Sequence, residues 1–292
     1  MRAGLGAIAL VALGALTGLG QGPVATQGPV ATQGPVRPAP TAVLTAASAR
    51  SVAAVGSCAE QPLLPAYFYP GPTWRAALRD LTPGANVIVN PSSGPGSRFD
   101  PNYSRVVRAA RARGGKLWGY VDTNYTRTPL SSLVTQIREY RSWYGITNVF
   151  FDDVSSDPGA LGYYRSASEA VRAADRRASV MLNPGDYPAW RYATLGDVIV
   201  VFEGDLSSFL ASRPPPWVRS HPASMFADLV SAVPAADLRS VLRLARLRHS
   251  GYVYATDHVE VSTLYEQLPS YWPTEIADTC ATADRPGTPA RP

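Results

Sequence analysis

The sequence predicts a single α/β domain, a (β/α)8 barrel of the TIM type, and three observations support this prediction. Eight short apolar or β-branched segments alternate with segments of helical length. They fall within residues 58–280, about 220 residues, which suits a barrel of this type. Polar residues follow nearly every apolar run. A doubly wound open sheet is the competing architecture, but no Gly-rich phosphate loop follows the first strand.

The predicted strands are short runs of apolar, β-branched and aromatic residues. In chain order they are Leu63–Phe68, Asn86–Asn90, Lys116–Val121, Asn148–Asp152, Ser179–Asn183, Val198–Glu203, Ser224–Ala227 and Tyr252–Ala255. The segments between them are amphipathic or rich in Ala and Arg, as helices on the outside of a barrel are. The predicted helices are Thr73–Leu81, Tyr103–Arg113, Leu130–Tyr144, Gly159–Arg176 and Ala235–Arg248.

The two ends of the chain are predicted to lie outside the barrel. Arg2 precedes an apolar run from Leu5 to Leu19, which predicts a secretory signal peptide over residues 1–20. An uncleaved N-terminal anchor is the alternative. Residues 21–57 repeat GPVATQ and are rich in Pro and Ala, which predicts a disordered linker, and residues 281–292 predict a disordered polar tail. We therefore expect a secreted protein without a membrane span after cleavage, and leave attachment to the cell wall open.

Cys58 and Cys280 are the two cysteines of the chain, and they bracket the predicted barrel. In an oxidising exterior we expect them to form one disulfide that joins the two ends of the domain. Two distant cysteines and three His offer no paired-ligand spacing for zinc. We therefore expect no metal and no cofactor.

The formal net charge of +5 comes almost entirely from Arg. Arg105, Arg108 and Arg111 recur every three residues, which is typical of a solvated helix face. A nucleic-acid-binding surface would need a denser basic stripe interleaved with aromatic residues, and the sequence contains none. We expect a monomer that binds no nucleic acid.

The most informative pattern is the set of polar residues at the ends of the predicted strands. In a parallel barrel these carboxyl ends open on one rim, where catalytic groups of such enzymes lie. Strand ends also meet water, so part of the pattern has a purely structural explanation. The residues are Tyr67, Tyr69, Asn90, Asp122, Asp152, Asp153, Asn183, Glu203, Thr256 and Asp257.

Three of these residues, Asp152, Asp153 and Glu203, indicate catalysis. An Asp in this position can cap the next helix, but Glu is a poor cap. An ionised carboxylate after a buried run costs free energy unless it is paired or catalytic. Cleavage of a glycosidic bond needs one acid to protonate the leaving oxygen and a second carboxylate to attack or stabilise the oxocarbenium-like centre. The trio therefore predicts a glycoside hydrolase that acts on a sugar polymer.

The sequence also resembles the spherulation-specific family 4 (spherulin 4-like) proteins and the related galactosaminogalactan hydrolases of glycoside hydrolase family 135. The stretches that carry the resemblance are LLPAYFYPGPTW (63–74), VIVNPSSGPGS (87–97), GYVDTNYTRTP (119–129), NVFFDDVSSD (148–157), MLNPGDYP (181–188) and DVIVVFEGDL (197–206). The resemblance implies a β/α barrel, secretion, and cleavage of an exopolysaccharide that contains galactosamine. It places the essential acids at Asp152, Asp153 and Glu203, although the family usually has Glu at the position of Asp153.

Eight further residues are predicted to bind the polysaccharide. The amides of Asn90 and Asn183 suit sugar hydroxyls, three Tyr rings suit the floor of a groove, and an Arg and an Asp suit an amine or acetamide group. Scaffolding of the rim is the alternative role for each. The set is Tyr67, Tyr69, Asn90, Asp122, Tyr125, Arg127, Asn183 and Asp257.

Two functions fit these observations. The first is a secreted, endo-acting α-1,4-galactosaminidase with Asp152 as nucleophile or charge stabiliser, Glu203 as general acid/base and Asp153 as an orienting group. The second is a non-catalytic barrel that binds the cell wall or an exopolysaccharide. The sequence leaves open the identity of the polymer, endo or exo action, and the stereochemistry of cleavage.

Overall fold

The computed structural model describes residues 60–260 and 263–280, and in it eight parallel strands close into a barrel in sequence order. The predicted (β/α)8 architecture is confirmed. The strands are β1 (Gln61–Ala66), β2 (Asn86–Val89), β3 (Lys116–Asp122), β4 (Asn148–Asp152), β5 (Val180–Leu182), β6 (Val198–Asp205), β7 (Phe226–Ser231) and β8 (Tyr252–Ala255). The predicted signal peptide, linker and tail lie outside the described residues. So does Cys58, so the Cys58–Cys280 disulfide stays a prediction.

Helices separate the strands and surround the barrel. They are α1 (Pro72–Asp80), α2 (Pro101–Ala112), α3 (Leu130–Glu139), α4 (Leu161–Ala174), α5 (Leu206–Ala211), α6 (Leu238–Leu247) and α7 (Trp272–Cys280). A π-helical turn over Tyr140–Tyr144 continues α3 and ends at Gly145, which takes the left-handed φ of 65°. Among the described residues, no helix is both long enough and apolar enough to cross a membrane.

Among the strands, the seventh departs furthest from its predicted bounds, and β1 begins and ends earlier than the predicted Leu63–Phe68. Ser224–Ala227 was predicted, whereas β7 extends over Phe226–Ser231. The predicted strand ends at Ala227, directly before Asp228, and a carboxylate is uncommon inside a buried strand. Asp228 is nevertheless buried, with 1% of its surface exposed, and its charge is opposed by Arg248.

The strand register gathers the candidate acids at one end of the barrel. Asp122 at the end of β3 is paired with Asp152 at the end of β4. In β6 the register slips between Val200 and Phe202, a bulge that pairs Glu203 with Leu229. A bulge adds one residue and thereby reverses the side to which the following side chains point. Glu203 consequently faces the barrel mouth, where it contacts Asn183 and Tyr265.

The burial of Asp228 leads us to expect an unusual dependence of the stability of the protein on pH. Burial raises its pKa to about 7, opposed in part by Ser250 and Arg248. A carboxyl whose pKa is raised by folding stabilises the protein fully below its unfolded pKa of about 4, and this contribution is lost as the pH rises through the folded pKa. The free energy of unfolding of the wild type is therefore expected to fall between pH 5 and pH 8.

The Asp228→Asn variant is expected to lose part of this dependence and to be relatively more stable at the higher pH, by an amount on the order of 1–3 kcal/mol. Urea unfolding at the two pH values measures it. Glu169→Gln, a change at an exposed residue of α4, is the control. An unchanged pH dependence in the Asp228 variant would contradict this account of the buried carboxyl.

Candidate active site

A cavity of about 430 Å³ opens at the carboxyl ends of β4, β5 and β6. Carboxyl groups dominate its lining, and no Lys, Arg or His contributes to it. The side chains that matter for chemistry are those of Tyr125, Asp152, Asp153, Asn183, Asp186 and Glu203. In the part of the chain that the structure describes, no group of three or more His, Cys, Asp or Glu is arranged to hold a metal ion.

The side-chain amide of Asn183 joins the two principal acids. Its Nδ2 donates to Asp152 Oδ1 at 2.7 Å and to Glu203 Oε2 at 2.6 Å. Its Oδ1 accepts from the backbone N–H of Gly185 at 3.1 Å, and this bond fixes which end of the amide faces the acids. Since both acid oxygens bond to the same nitrogen, their separation cannot exceed the sum of those two distances. The acids therefore share one pocket at short range.

Tyrosines hold the other sides of both carboxyl groups. Tyr265 donates its hydroxyl to Glu203 Oε1 at 2.6 Å, and the hydroxyl of Tyr120 is hydrogen-bonded to Asp152. The ring of Tyr67 packs edge-on between these two tyrosines, with centroid distances of 5.3 Å to Tyr120 and 5.2 Å to Tyr265. These three tyrosines leave the side chains of Asp152 and Glu203 with little rotational freedom.

The two acids influence each other electrostatically. Burial raises the pKa of Asp152 above its ordinary value, and the charge of Glu203 raises it further. The hydrogen bonds from Tyr120 and Asn183 oppose this shift without cancelling it. Together these effects raise the pKa of Asp152 to about 7, so this carboxyl group keeps its proton to a higher pH than an isolated Asp. It is protonated below that pH and ionised, as a nucleophile must be, above it.

Asp153 has a different environment from its neighbour. Its φ of 50° is left-handed, and its carboxylate is hydrogen-bonded by the hydroxyl of Tyr125. Three consecutive residues with left-handed φ, Asn124 to Thr126, present Tyr125 to the pocket, and the backbone N–H of Tyr125 donates to the Asp153 carbonyl at 2.8 Å. Such strained backbone is a feature of ligand-binding and catalytic sites.

The remaining predicted residues lie around the rim and are engaged with the protein itself. Asp122 Oδ1 accepts from the N–H of Asn124, and Arg127 binds Asn124 Oδ1 while its guanidinium lies over the Tyr125 ring. Asp257 accepts from the N–H of Ser270, and Asn90 Oδ1 accepts from the N–H of Gly94. Tyr69 is bonded to Asp100 and lies outside the lining of the pocket.

Sequence reasoning missed Tyr120, Tyr265 and Asp186. Tyr120 lies two residues before Asp122 in β3, so the two-residue period of a strand indicates that it faces the same side. Tyr265 comes from the segment after β8, where no periodic pattern marks it. Asp186, whose Oδ1 accepts from the Ser156 hydroxyl at 2.5 Å, lies in the quoted MLNPGDYP stretch but outside a strand end.

The Tyr265–Glu203 hydrogen bond leads to a testable prediction. Tyr265→Phe removes the donor while keeping the ring that packs on Tyr67. We expect the turnover number of the enzymatic reaction proposed below to fall about tenfold, the usual size of one charge-assisted hydrogen bond. Tyr252→Phe, at the opposite end of the barrel in β8, is the control. Equal kinetics for both variants would mean that the bond is irrelevant to turnover.

The fold and the site together define a β/α-barrel protein with a pocket of paired carboxyl groups at the carboxyl ends of its strands, the end where such barrels carry their active sites. The chain belongs to spherulation-specific family 4, whose family model matches residues 61–278. The resemblance found in the sequence is thereby confirmed. Among curated proteins, no match to the chain was found.

Several solved structures are similar to this chain. The crystal structure of Aspergillus clavatus Sph3 in complex with GalNAc has a TM-score of 0.66 and 23% sequence identity, covering 76% of this chain and 98% of that chain. A chitinase from Rhizomucor miehei has a TM-score of 0.45 and 11% identity, covering 75% and 99% of the two chains. An alpha-amylase from Lactobacillus plantarum has a TM-score of 0.45 and 10% identity, covering 76% and 79%. At 23% identity the likeness to Sph3 concerns the fold alone.

Proposed function

We propose that the protein is a secreted glycoside hydrolase that cleaves an exopolysaccharide containing galactosamine or N-acetylgalactosamine. The observation that carries the proposal is the pair Asp152 and Glu203, both bonded to Asn183 Nδ2 inside an open cavity. Family membership supports this reaction class. The complex of Aspergillus clavatus Sph3 with GalNAc supports the sugar class, since that protein shares the fold.

The spacing of the acids favours cleavage with retention of configuration. Carboxyl groups lie roughly 5–5.5 Å apart in retaining enzymes and about 6.5–9.5 Å apart in inverting ones, which need room for a water between them. The shared bonds to Asn183 Nδ2 hold the two bonded oxygens closer together than the range of inverting enzymes. This separation supports a retaining mechanism.

The reaction then proceeds in two steps. Asp152 attacks the anomeric carbon while Glu203 gives its proton to the leaving glycosidic oxygen, which produces a glycosyl ester and one shortened chain. Glu203, now ionised, takes a proton from water, and the resulting hydroxide attacks the same carbon and releases Asp152. For an α-linked sugar the 2-acetamido group is cis to the leaving oxygen, so it cannot assist in line and an enzyme carboxylate must serve.

Asp153 serves as a second wall of the pocket rather than as the acid. Its carboxylate is hydrogen-bonded by the hydroxyl of Tyr125, and its left-handed φ of 50° places it outside β4, the strand that positions Asp152. With Asp186, it adds negative charge to a site in a protein whose formal net charge is +5. This local charge offsets the repulsion that a basic protein would exert on a partly deacetylated, cationic polymer.

The proposal is tested by incubating the purified protein with α-1,4-linked galactosaminogalactan and with a panel of other exopolysaccharides. We expect release of oligosaccharides of mixed length from the first polymer, seen by mass spectrometry, as an endo-acting enzyme produces. NMR of the first-formed product should give the α anomer. Binding of the polymer without any shortening would contradict the proposal and would instead identify a non-catalytic barrel.

A further inference from the structure

A second cavity, of about 420 Å³, lies at the barrel rim away from the paired acids. Its walls come from Tyr69 in the segment after β1, from most of the segment between β2 and α2, from Pro101 and Tyr103 at the start of α2, and from Tyr144 in the turn after α3. None of the residues around this cavity lines the pocket of Asp152 and Glu203. We call it the β1–β2 cavity.

The position of the β1–β2 cavity in the fold relates it to the active site. Segments that follow the carboxyl ends of parallel strands all open on the same rim, so this cavity and the catalytic pocket share one face of the barrel. In a closed ring of eight strands, β1 and β2 lie opposite β5 and β6, which carry Asn183 and Glu203 at their ends. A ligand that occupies both sites therefore extends from one side of the barrel rim to the other, as a chain of several sugar residues can.

Two exposed aromatic rings border the cavity, and buried rings hold them in place. Phe99 is 47% exposed and stacks on Tyr144 with a centroid distance of 6.0 Å. Tyr69 is 59% exposed and meets Tyr103 edge-on at 5.6 Å. Both supporting rings are less than 5% exposed. Rigid aromatic surfaces with one free side suit the C–H face of a pyranose ring and lose little entropy on binding.

Polar groups beside these rings suit sugar hydroxyls. The Tyr69 hydroxyl donates to Asp100 Oδ2 at 3.0 Å and accepts from Asn102 Nδ2 at 2.7 Å, which fixes the ring. Arg98 and the hydroxyl of Ser97 also line the cavity. In the described residues, neither makes a side-chain hydrogen bond or an ion pair, so both are available to a ligand.

The backbone of the same loop gives the cavity a fixed shape. Asn90 accepts from the N–H of Gly94 at 3.1 Å, and Gly94 takes a φ of 149°. A Cβ at Gly94 would lie 2.7 Å from Gln136 Oε1, so the loop packs closely against α3. The NPSSGPG stretch is one of the strongest features of the family resemblance, yet it contributes nothing to the catalytic pocket. A role in the β1–β2 cavity explains it.

We propose that the β1–β2 cavity is a remote saccharide-binding site that holds one sugar residue of the same polymer chain whose cleavage site lies at Asp152 and Glu203. The inference rests on the proposed function. Phe99 and Tyr69 are its aromatic platforms, and Arg98 and Ser97 bind hydroxyl or carbonyl oxygens. Occupation of both sites by one chain holds the polymer across the mouth and favours cleavage at internal bonds.

The test compares long and short substrates for Phe99→Ala and for Phe99→Ala combined with Tyr69→Ala. The probes are α-1,4-linked galactosaminogalactan and a short oligosaccharide of the same linkage. We expect the ratio of kcat/KM for the polymer to kcat/KM for the oligosaccharide to fall about tenfold in the double variant, through KM of the polymer. Tyr69→Phe keeps the aromatic ring, so its ratio of kcat/KM for the polymer to kcat/KM for the oligosaccharide should stay close to that of the wild type. Leu247→Ala, an exposed apolar residue at the end of α6, is the control.

A binding experiment separates the failure of this inference from the failure of the proposed function. Polymer affinity is measured for Asp152→Asn alone and together with Phe99→Ala and Tyr69→Ala, with circular dichroism to verify folding. Weaker binding in the combined variant supports the remote site. If the wild type cleaves the polymer but the variants keep the wild-type kcat/KM ratio and the wild-type affinity for the polymer, this inference fails and the proposed function stands. If the wild type neither cleaves nor binds the polymer, both proposals fail.

Discussion

Replacing Asp152 with Asn is expected to lower kcat/KM for the polymer by a factor on the order of 10³–10⁵, because the amide cannot form the glycosyl ester. The fold should survive. Asn keeps the size of the side chain and an oxygen that accepts from Asn183 Nδ2. Reducing-end release measures activity, and thermal unfolding measures stability.

The direction in which Asp152→Asn changes the stability of the protein follows from the pKa of Asp152. Burial and the charge of Glu203 raise the pKa of Asp152 in the folded protein. Its stabilising contribution is therefore complete at low pH and is lost as the pH rises through the raised pKa. At pH 8 the neutral Asn variant should consequently unfold at a temperature no lower than the wild type. A large loss of stability at that pH would show that the loss of activity comes from misfolding.

Glu203→Gln distinguishes the roles of the two acids. A general acid is dispensable when the leaving group is already acidic, so this variant should retain activity on an aryl glycoside with an acidic phenol while losing it on the polymer. Asp152→Asn should lose both activities, because the attack itself is missing. The opposite result, with the aryl glycoside cleaved only by the Asp152 variant, would reverse the assignment of nucleophile and acid.

The barrel was predictable because its signals are local. Each strand from β1 to β6 is a short apolar run, and the alternation with amphipathic helices follows from burial on both faces of a parallel sheet. The exception is β7, where Asp228 interrupts the run although the backbone continues as a strand to Ser231. A buried carboxyl is uncommon enough that a local pattern treats it as a boundary.

The site was predictable only in part, since its geometry depends on contacts distant in the chain. Asp152, Glu203 and Asn183 were identified because each follows a buried run, yet nothing local indicates that one amide nitrogen bonds to both acids. The bulge in β6 that turns Glu203 inward has no marker in VIVVFE. Tyr265 reaches Glu203 across 62 residues of sequence. Such contacts arise because the eight strands close into a barrel. The pattern within a single segment does not reveal which distant residues that closure brings together.

Asn183→Ala is expected to have the second-largest effect, a fall in kcat on the order of 10²–10³-fold. The amide holds the two carboxyl groups at their working separation, and its loss lets them move apart. Its hydrogen bond also lowers the pKa of Asp152, so its removal should raise that pKa further. Because the nucleophile must be ionised, the acidic limb of the kcat/KM profile should move to higher pH.

A matched control isolates this effect from simple loss of structure. Asn148 begins β4 at the opposite end of the barrel and, like Asn183, uses both ends of its amide: Nδ2 donates to the Leu117 carbonyl at 3.0 Å, and Oδ1 accepts from the Ser179 N–H at 2.9 Å. Asn148→Ala should lower the free energy of unfolding by about 1–2 kcal/mol, since two partly buried backbone groups lose their partners, while the pH profile stays in place. If both variants reduce turnover equally and neither shifts the acidic limb of the kcat/KM profile, Asn183 has only a structural role and its amide does not adjust the pKa of Asp152.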